Sequence, residues 1–177
     1  LVGVIDADQG LFGADFRAPE RLAQLIIQVA GRAGRAERPG EVAIQTHHPE
    51  HPLLQMLIHG GYPAFAQAAL AEREAAGLPP ARAMALIRAE ATDAAAPRRF
   101  LQAAQALAPE TPAVERLGPY PAPMERRAGR YRAQIMLQSD QRAALQTLLK
   151  QWLPRIHSLR ESRRVRWSVD VDPTETL

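Results

Sequence analysis

The chain has 177 residues, 46% of them hydrophobic and 23% charged, which allows one ordinary domain or two small ones around a real apolar core. It holds no cysteine, which excludes a disulfide scaffold, a cysteine nucleophile and a cysteine-ligated zinc site within these residues and permits a reducing cytoplasm. The formal charge of +3 is unevenly spread. Residues 1–77 carry 6 basic and 9 acidic side chains and residues 78–177 carry 16 basic and 10 acidic, so the second half is the one expected to meet a polyanion.

Residues 1–5 (LVGVI) form an apolar run closed by Asp6 and Asp8, the pattern of a strand buried on both faces of a parallel α/β sheet. Those two acids also argue against a signal peptide, and no run of 18 apolar residues predicts a membrane span. The abrupt opening, without an initiator Met, predicts a fragment cut within a larger α/β domain. A loop is expected from Ala7 to Ala18. Pro19 then suits the first turn of a helix, and residues 20–30 place Leu22, Leu25, Ile26 and Val29 on one face. The glycines of GRAGR at 31–35 are expected to break that helix. A short strand over 41–45 and helices over 52–59 and 62–76 follow. Gly77 to Pro80 is the expected boundary between domains.

Beyond it, strands are predicted over 84–91, 113–118, 130–138 and 164–171, with helices over 97–108 and 140–157. The Pro-rich stretch Gly118 to Pro123 reads as a stiff turn that no regular element can contain. The order is β-α-β-β-α-β, a split βαβ arrangement. The fold class is therefore α/β followed by α+β.

Of the basic residues, 21 are arginine and Lys150 is the single lysine. Arginine suits phosphate, because its planar fork binds bidentately, although a GC-rich genome gives the same bias. Arg126, Arg127, Arg130 and Arg132 cluster around Tyr131, and a flexible basic segment with an aromatic suits phosphate contact and base stacking. Arg155, Arg160, Arg163, Arg164 and Arg166 form a second cluster. A solvated face is the plain alternative for both.

Three other groups invite a chemical reading. Asp6 and Asp8 are paired carboxylates of the kind that hold Mg, yet they suit a strand end that turns the following loop. His47, His48 and His51 are interrupted by Pro49 and Pro52 and read as a loop rather than a metal site. Asp140 is placed to cap the long helix, and Trp152 and Trp167 are expected in the core of the second half. No metal ligands are assigned.

The segment Gln28-Val-Ala-Gly31-Arg32-Ala-Gly34-Arg35 has the QxxGRxGR pattern of motif VI in superfamily 2 helicases. With Val4-Ile-Asp6-Ala-Asp8 and Glu20-Arg21 before it, two families fit: the excision-repair subunit UvrB and the replication-restart helicase PriA. The stretches Gly40 to Leu54, Ala71 to Pro80, Gly118 to Pro123 and Asp170 to Pro173 resemble the PriA family over essentially the whole chain.

That resemblance implies an ATP-dependent 3′-to-5′ DNA helicase that reloads the replicative machinery at stalled forks. Residues 1–58 would be the tail of its second RecA-like lobe, an incomplete parallel sheet. Residues 59–77 would connect it to a C-terminal domain over 78–177 with a ribosomal-protein-like fold. Gln28, Arg32 and Arg35 would face ATP, with Arg35 as the arginine finger. ATP, Mg and zinc would be bound largely by upstream parts of the parent, and this piece alone would be inactive. The implied partners are forked and single-stranded DNA, single-stranded DNA-binding protein and other primosome components. The implied location is the bacterial cytoplasm at the nucleoid. A stand-alone nucleic-acid or protein-docking module is the competing reading.

Overall fold

A computed structural model describes residues 1–13, 15–33 and 41–174. The chain forms two compact units, Leu1–Ala76 and Gly77–Leu177. Among the described residues, no helix is long and apolar enough to cross a membrane.

In the first unit, strand β1 (Val2–Val4) pairs in parallel with β2 (Val42–Ile44), in the register Val2 to Val42. Between them lie a one-turn helix α1 (Asp8–Leu11) and the long α2 (Ala18–Ala33). Helix α3 (Pro52–Ala75) follows β2. The core gathers Val4, Ala7, Leu11, Leu22, Ala23, Ile26, Leu53, Leu54, Leu57, Phe65 and Ala69.

Several expectations change here. The first strand is buried only at Val4, because among the described residues the sheet has just two strands. The predicted loop from Ala7 contains α1. The buried stripe of α2 runs through Leu22, Ala23 and Ile26, while Leu25 is 48% exposed. Gly31 does not break α2, which continues to Ala33; a single glycine costs a helix only about 1 kcal/mol and neighbouring turns carry it. The two helices predicted after Pro52 are both present, as the two halves of α3 on either side of non-helical Gly61, whose φ of 72° only glycine adopts readily.

The second unit runs β3 (Ala83–Ala91), α4 (Ala96–Ala106), β4 (Glu115–Arg127), β5 (Arg130–Ser139), α5 (Arg142–Ser158), a 3₁₀ turn (Arg160–Arg163) and β6 (Arg166–Val171). This is the expected β-α-β-β-α-β order. The four strands form one antiparallel sheet in the spatial order β4-β5-β3-β6. On β3 the alternate residues Ala83, Ala85, Ile87, Ala89 and Ala91 join the core with Phe100, Leu101, Leu145, Leu148, Trp152 and Ile156 of the two helices. Alanines at four of those five positions leave room for the larger helix side chains. Trp152 is fully buried and its Nε1 donates to the Ala104 carbonyl at 2.8 Å, so its one polar atom is satisfied. Trp167 is only partly buried, against that core, with its ring 5.7 Å from Phe100.

The Pro-rich stretch is strand after all. Strand β4 passes through Gly118 to Pro123 with register shifts on both sides of Tyr120-Pro121. It lies at the sheet edge, where proline's missing N–H need not break a ladder bond. Gly118 holds φ at 111°, and a Cβ there would meet the Gln134 carbonyl oxygen at 2.9 Å, so the bulge needs glycine.

Asp140 does not cap α5. The N-cap is Gln141, whose N–H donates to Ser139 Oγ at 3.0 Å, and Asp140 instead pairs with Arg82 Nε at 2.8 Å.

Candidate nucleic-acid interface

Strands β4 and β5 meet in a tight hairpin in which Arg127 faces Arg130 across Ala128 and Gly129. Both turn residues have positive φ, 49° and 77°, the geometry of a type I′ connection whose twist matches the strands. The basic segment is thus a regular hairpin rather than the flexible stretch expected. Its arginines stand at fixed register positions.

Period-two alternation then sorts them. Arg132, Glu90 and Arg166 lie opposite one another across β5, β3 and β6, on the sheet face away from the helices. In the next row Gln134, Arg88 and Ser168 align likewise. The hairpin end brings Arg127 and Arg130 to the same place, and with Arg88, Glu90, Arg132 and Arg166 they line a cleft of about 490 Å³. Arg126 instead opposes Tyr131 on the helix-bearing face, its guanidinium 5.3 Å from the ring centre.

The cleft collects Arg88, Arg127, Arg130, Arg132 and Arg166 from three separate segments. Its carboxylates are few. Arg166 Nη1 lies 3.4 Å from Glu90, and Arg88 Nη1 donates to Asp170 Oδ2 at 2.8 Å. Arg132 Nη1 donates to the Met124 carbonyl across the hairpin at 3.4 Å. Arg127 and Arg130 are exposed. Arginine cations outnumber the acids that face them, so a ligand with several negative charges fits this cleft.

The second predicted cluster is spread over α5, the 3₁₀ turn and β6. Arg166 joins the cleft, Arg155 donates to the Leu107 carbonyl at the end of α4, and Arg160 and Arg163 sit on the 3₁₀ turn. Arg88 was missed in the sequence. Its cue was the switch in β3 from Leu86 to Arg88 and Glu90 on one face of an otherwise apolar strand.

In the first unit, Gln28 and Arg32 are exposed one helical turn apart at the end of α2, and Arg35 lies outside the described residues. Asp8 accepts from Thr46 Oγ1 and from the His47 N–H at 3.0 Å, which joins the segments behind β1 and β2. The Thr46 hydroxyl, then the His47 amide, hold its carboxyl below the ordinary range. His48 and His51 contact Phe12 edge-on, at ring distances of 4.7 and 5.5 Å. Among the described residues, no three His, Cys, Asp or Glu side chains group as a metal ion would need.

The family model for the primosomal protein N C-terminal domain matches residues 74–174. The chain belongs to this family. All five arginines of the cleft lie within the matched segment. The chain is 45% identical to the replication restart protein PriA of Haemophilus influenzae, over 99% of this chain and 24% of that protein. It is 39% identical to that of Synechocystis, over 98% and 20%, and 37% identical to that of Bacillus subtilis, over 98% and 22%. The chain thus spans about a quarter of the length of the PriA relatives it matches. A de novo designed protein, Foldit4, is similar at a TM-score of 0.38 and 13% identity over 53% of this chain and 99% of that one, too remote to carry an argument.

Proposed function

We propose that the chain is the C-terminal part of an ATP-dependent 3′-to-5′ DNA helicase that restarts replication at stalled or branched forks, and that its second unit supplies a DNA-binding surface. The observation that carries the DNA-binding part is the cleft of five arginines drawn from β3, the β4–β5 hairpin and β6. Guanidinium forks in a row contact phosphates without reading bases, which suits a protein that must act wherever a fork fails. Near-complete alignment with relatives named replication restart protein PriA supports the wider role. Single-stranded DNA-binding protein and other primosome components are the protein partners of this reading, and the nucleoid is its location.

On the same reading residues 1–58 end a RecA-like lobe, residues 59–77 connect, and residues 78–177 are the DNA- and partner-binding domain. The parallel pairing of β1 with β2 around α2 supports the first assignment. Gln28, Arg32 and Arg35 are then motif VI. Gln28 and Arg32 offer donors suited to a nucleotide phosphate. ATP supplies the phosphoryl group whose transfer drives unwinding, and the remaining nucleotide and zinc ligands belong to other parts of the parent. A full-length parent carrying Arg35→Ala should lose DNA-stimulated ATP hydrolysis while still binding DNA. Normal turnover would remove the finger assignment.

The cleft is tested by the anisotropy of labelled single-stranded DNA against salt. Each phosphate contact contributes a slope of about −0.7 in log affinity against log salt. Replacing Arg127, Arg130 and Arg166 together by Gln should flatten the slope by about 2. An unchanged slope would place the contacts elsewhere.

A further inference from the structure

The hairpin has a second side. A cavity of about 490 Å³ opens on the helix-bearing face, between the start of α4 and the edge strand β4. Its apolar walls include Pro97, Pro121 and the Tyr131 ring, while Gln102 and Glu125 supply polar atoms and Arg98, Arg99 and Arg132 cations. The volume lies within the roughly 300–1,000 Å³ usual for small-ligand sites. Arg126 covers Tyr131 at 5.3 Å and holds the ring as part of the wall. Glu125 reaches this side because β4 shifts register between Pro121 and Arg126.

This cavity adjoins the arginine cleft across strand β5. Arg132 and Ala133 border both. A nucleic-acid strand whose phosphates lie along Arg127, Arg130 and Arg132 and that rounds the edge of the hairpin comes to the mouth of the second cavity. The geometry points to a base-binding site here: one unpaired nucleobase of single-stranded DNA enters the cavity and stacks on Tyr131. The inference rests on the reading of the cleft as a phosphate track and adds a division of labour across one hairpin. Arginines on one face take the backbone, and the tyrosine on the other takes a base. Gln102 can donate and accept, and Glu125 accepts from an exocyclic amine, so several bases are tolerated. A paired base cannot enter without leaving its stack, which makes the site selective for single strands.

The test compares a short oligothymidylate with its fully abasic analogue, both labelled, on the full 177-residue chain. The two strands share phosphates and differ only in bases. The native chain should bind the thymidylate roughly tenfold more tightly. Tyr131→Phe should keep that preference and Tyr131→Ala should lose it, with the salt slope unchanged in both. Gln102→Trp, at an exposed position of α4, fills the cavity while leaving Tyr131 in the chain and should also abolish the preference. Equal binding of the two strands by the native chain would overturn the base site and leave the phosphate track standing. So would a preference that survives both Tyr131→Ala and Gln102→Trp. Failure of both strands to bind at low salt would overturn the track and the base site together.

Discussion

The two units are held together in different ways. The second has a four-stranded sheet covered by two helices, and its core holds fully buried side chains as large as Trp152, Phe100, Ile135 and Ile156. The first has two three-residue strands and leaves Leu1, Ile5, Leu25, Ile27 and Ile58 between 43% and 87% exposed. Beside its smaller apolar core, its segments are joined by carboxylates. Asp15 is 2% exposed; it accepts from the Arg17 N–H at 2.9 Å and from Arg21 Nη2 at 2.6 Å. Glu20 pairs with Arg73 across α2 and α3, and Arg73 and Arg17 both lie against the Phe16 ring. Asp8 bridges the ends of the two strands through Thr46 and His47. Apolar burial scales with area and is nearly indifferent to pH, whereas a carboxylate tie lasts only while the acid is ionised. The difference teaches that one chain carries two stabilities with different weaknesses, and each can be attacked separately.

The largest effect should come from the core of the second unit. Trp152→Ala removes the biggest fully buried side chain and the donor to Ala104. A cavity of that kind costs about 3–5 kcal/mol, a large share of the stability of a small domain. Hydrogen exchange followed by peptide should show protection collapsing across residues 83–171 and holding in residues 1–76. Equal loss of protection in both segments would mean that the two units share one cooperative transition, and the contrast drawn above would fail.

That contrast was partly legible beforehand. Alternation made β5 readable, because one of its faces is buried against the helices and period two leaves a direct trace, and β3 showed as a short apolar run. The bend at Gly61 was readable because glycine and Pro63 leave a local mark. Strand β4 was not, because Pro119, Pro121 and Pro123 forbid a central strand and nothing local tells that this one lies at an edge. Asp140 failed as a cap for a similar reason: Arg82, far away in sequence, claims its carboxylate. The arginine cleft was half visible. Arg127, Arg130 and Arg132 are neighbours along the chain, while Arg88 and Arg166 join them only through the register of β3 with β5 and β6. Local chemistry is written in adjacent residues, and sites assembled by strand pairing are not.

The smallest effect sharpens the comparison from the other side. Asp8 is held below its ordinary value of 3.8, chiefly by the Thr46 hydroxyl, then by the His47 amide, with smaller help from the charges of His47 and His48. A carboxyl lowered by folding stabilises the native state above its unfolded value, and that contribution is lost as pH falls through the lower folded value. Acid should therefore loosen the link between β1 and β2 while the second unit's core, packed from apolar groups, keeps its protection. Thr46→Val removes the leading donor. It should bring the Asp8 midpoint, followed by carboxyl NMR, back toward 3.8 and leave stability at neutral pH little changed, because the site is half-open to solvent and water replaces the lost bond. If the Asp8 midpoint stays where it was in Thr46→Val, the hydroxyl is not what holds it. The polar tie between the strands would then rest on the His47 amide alone.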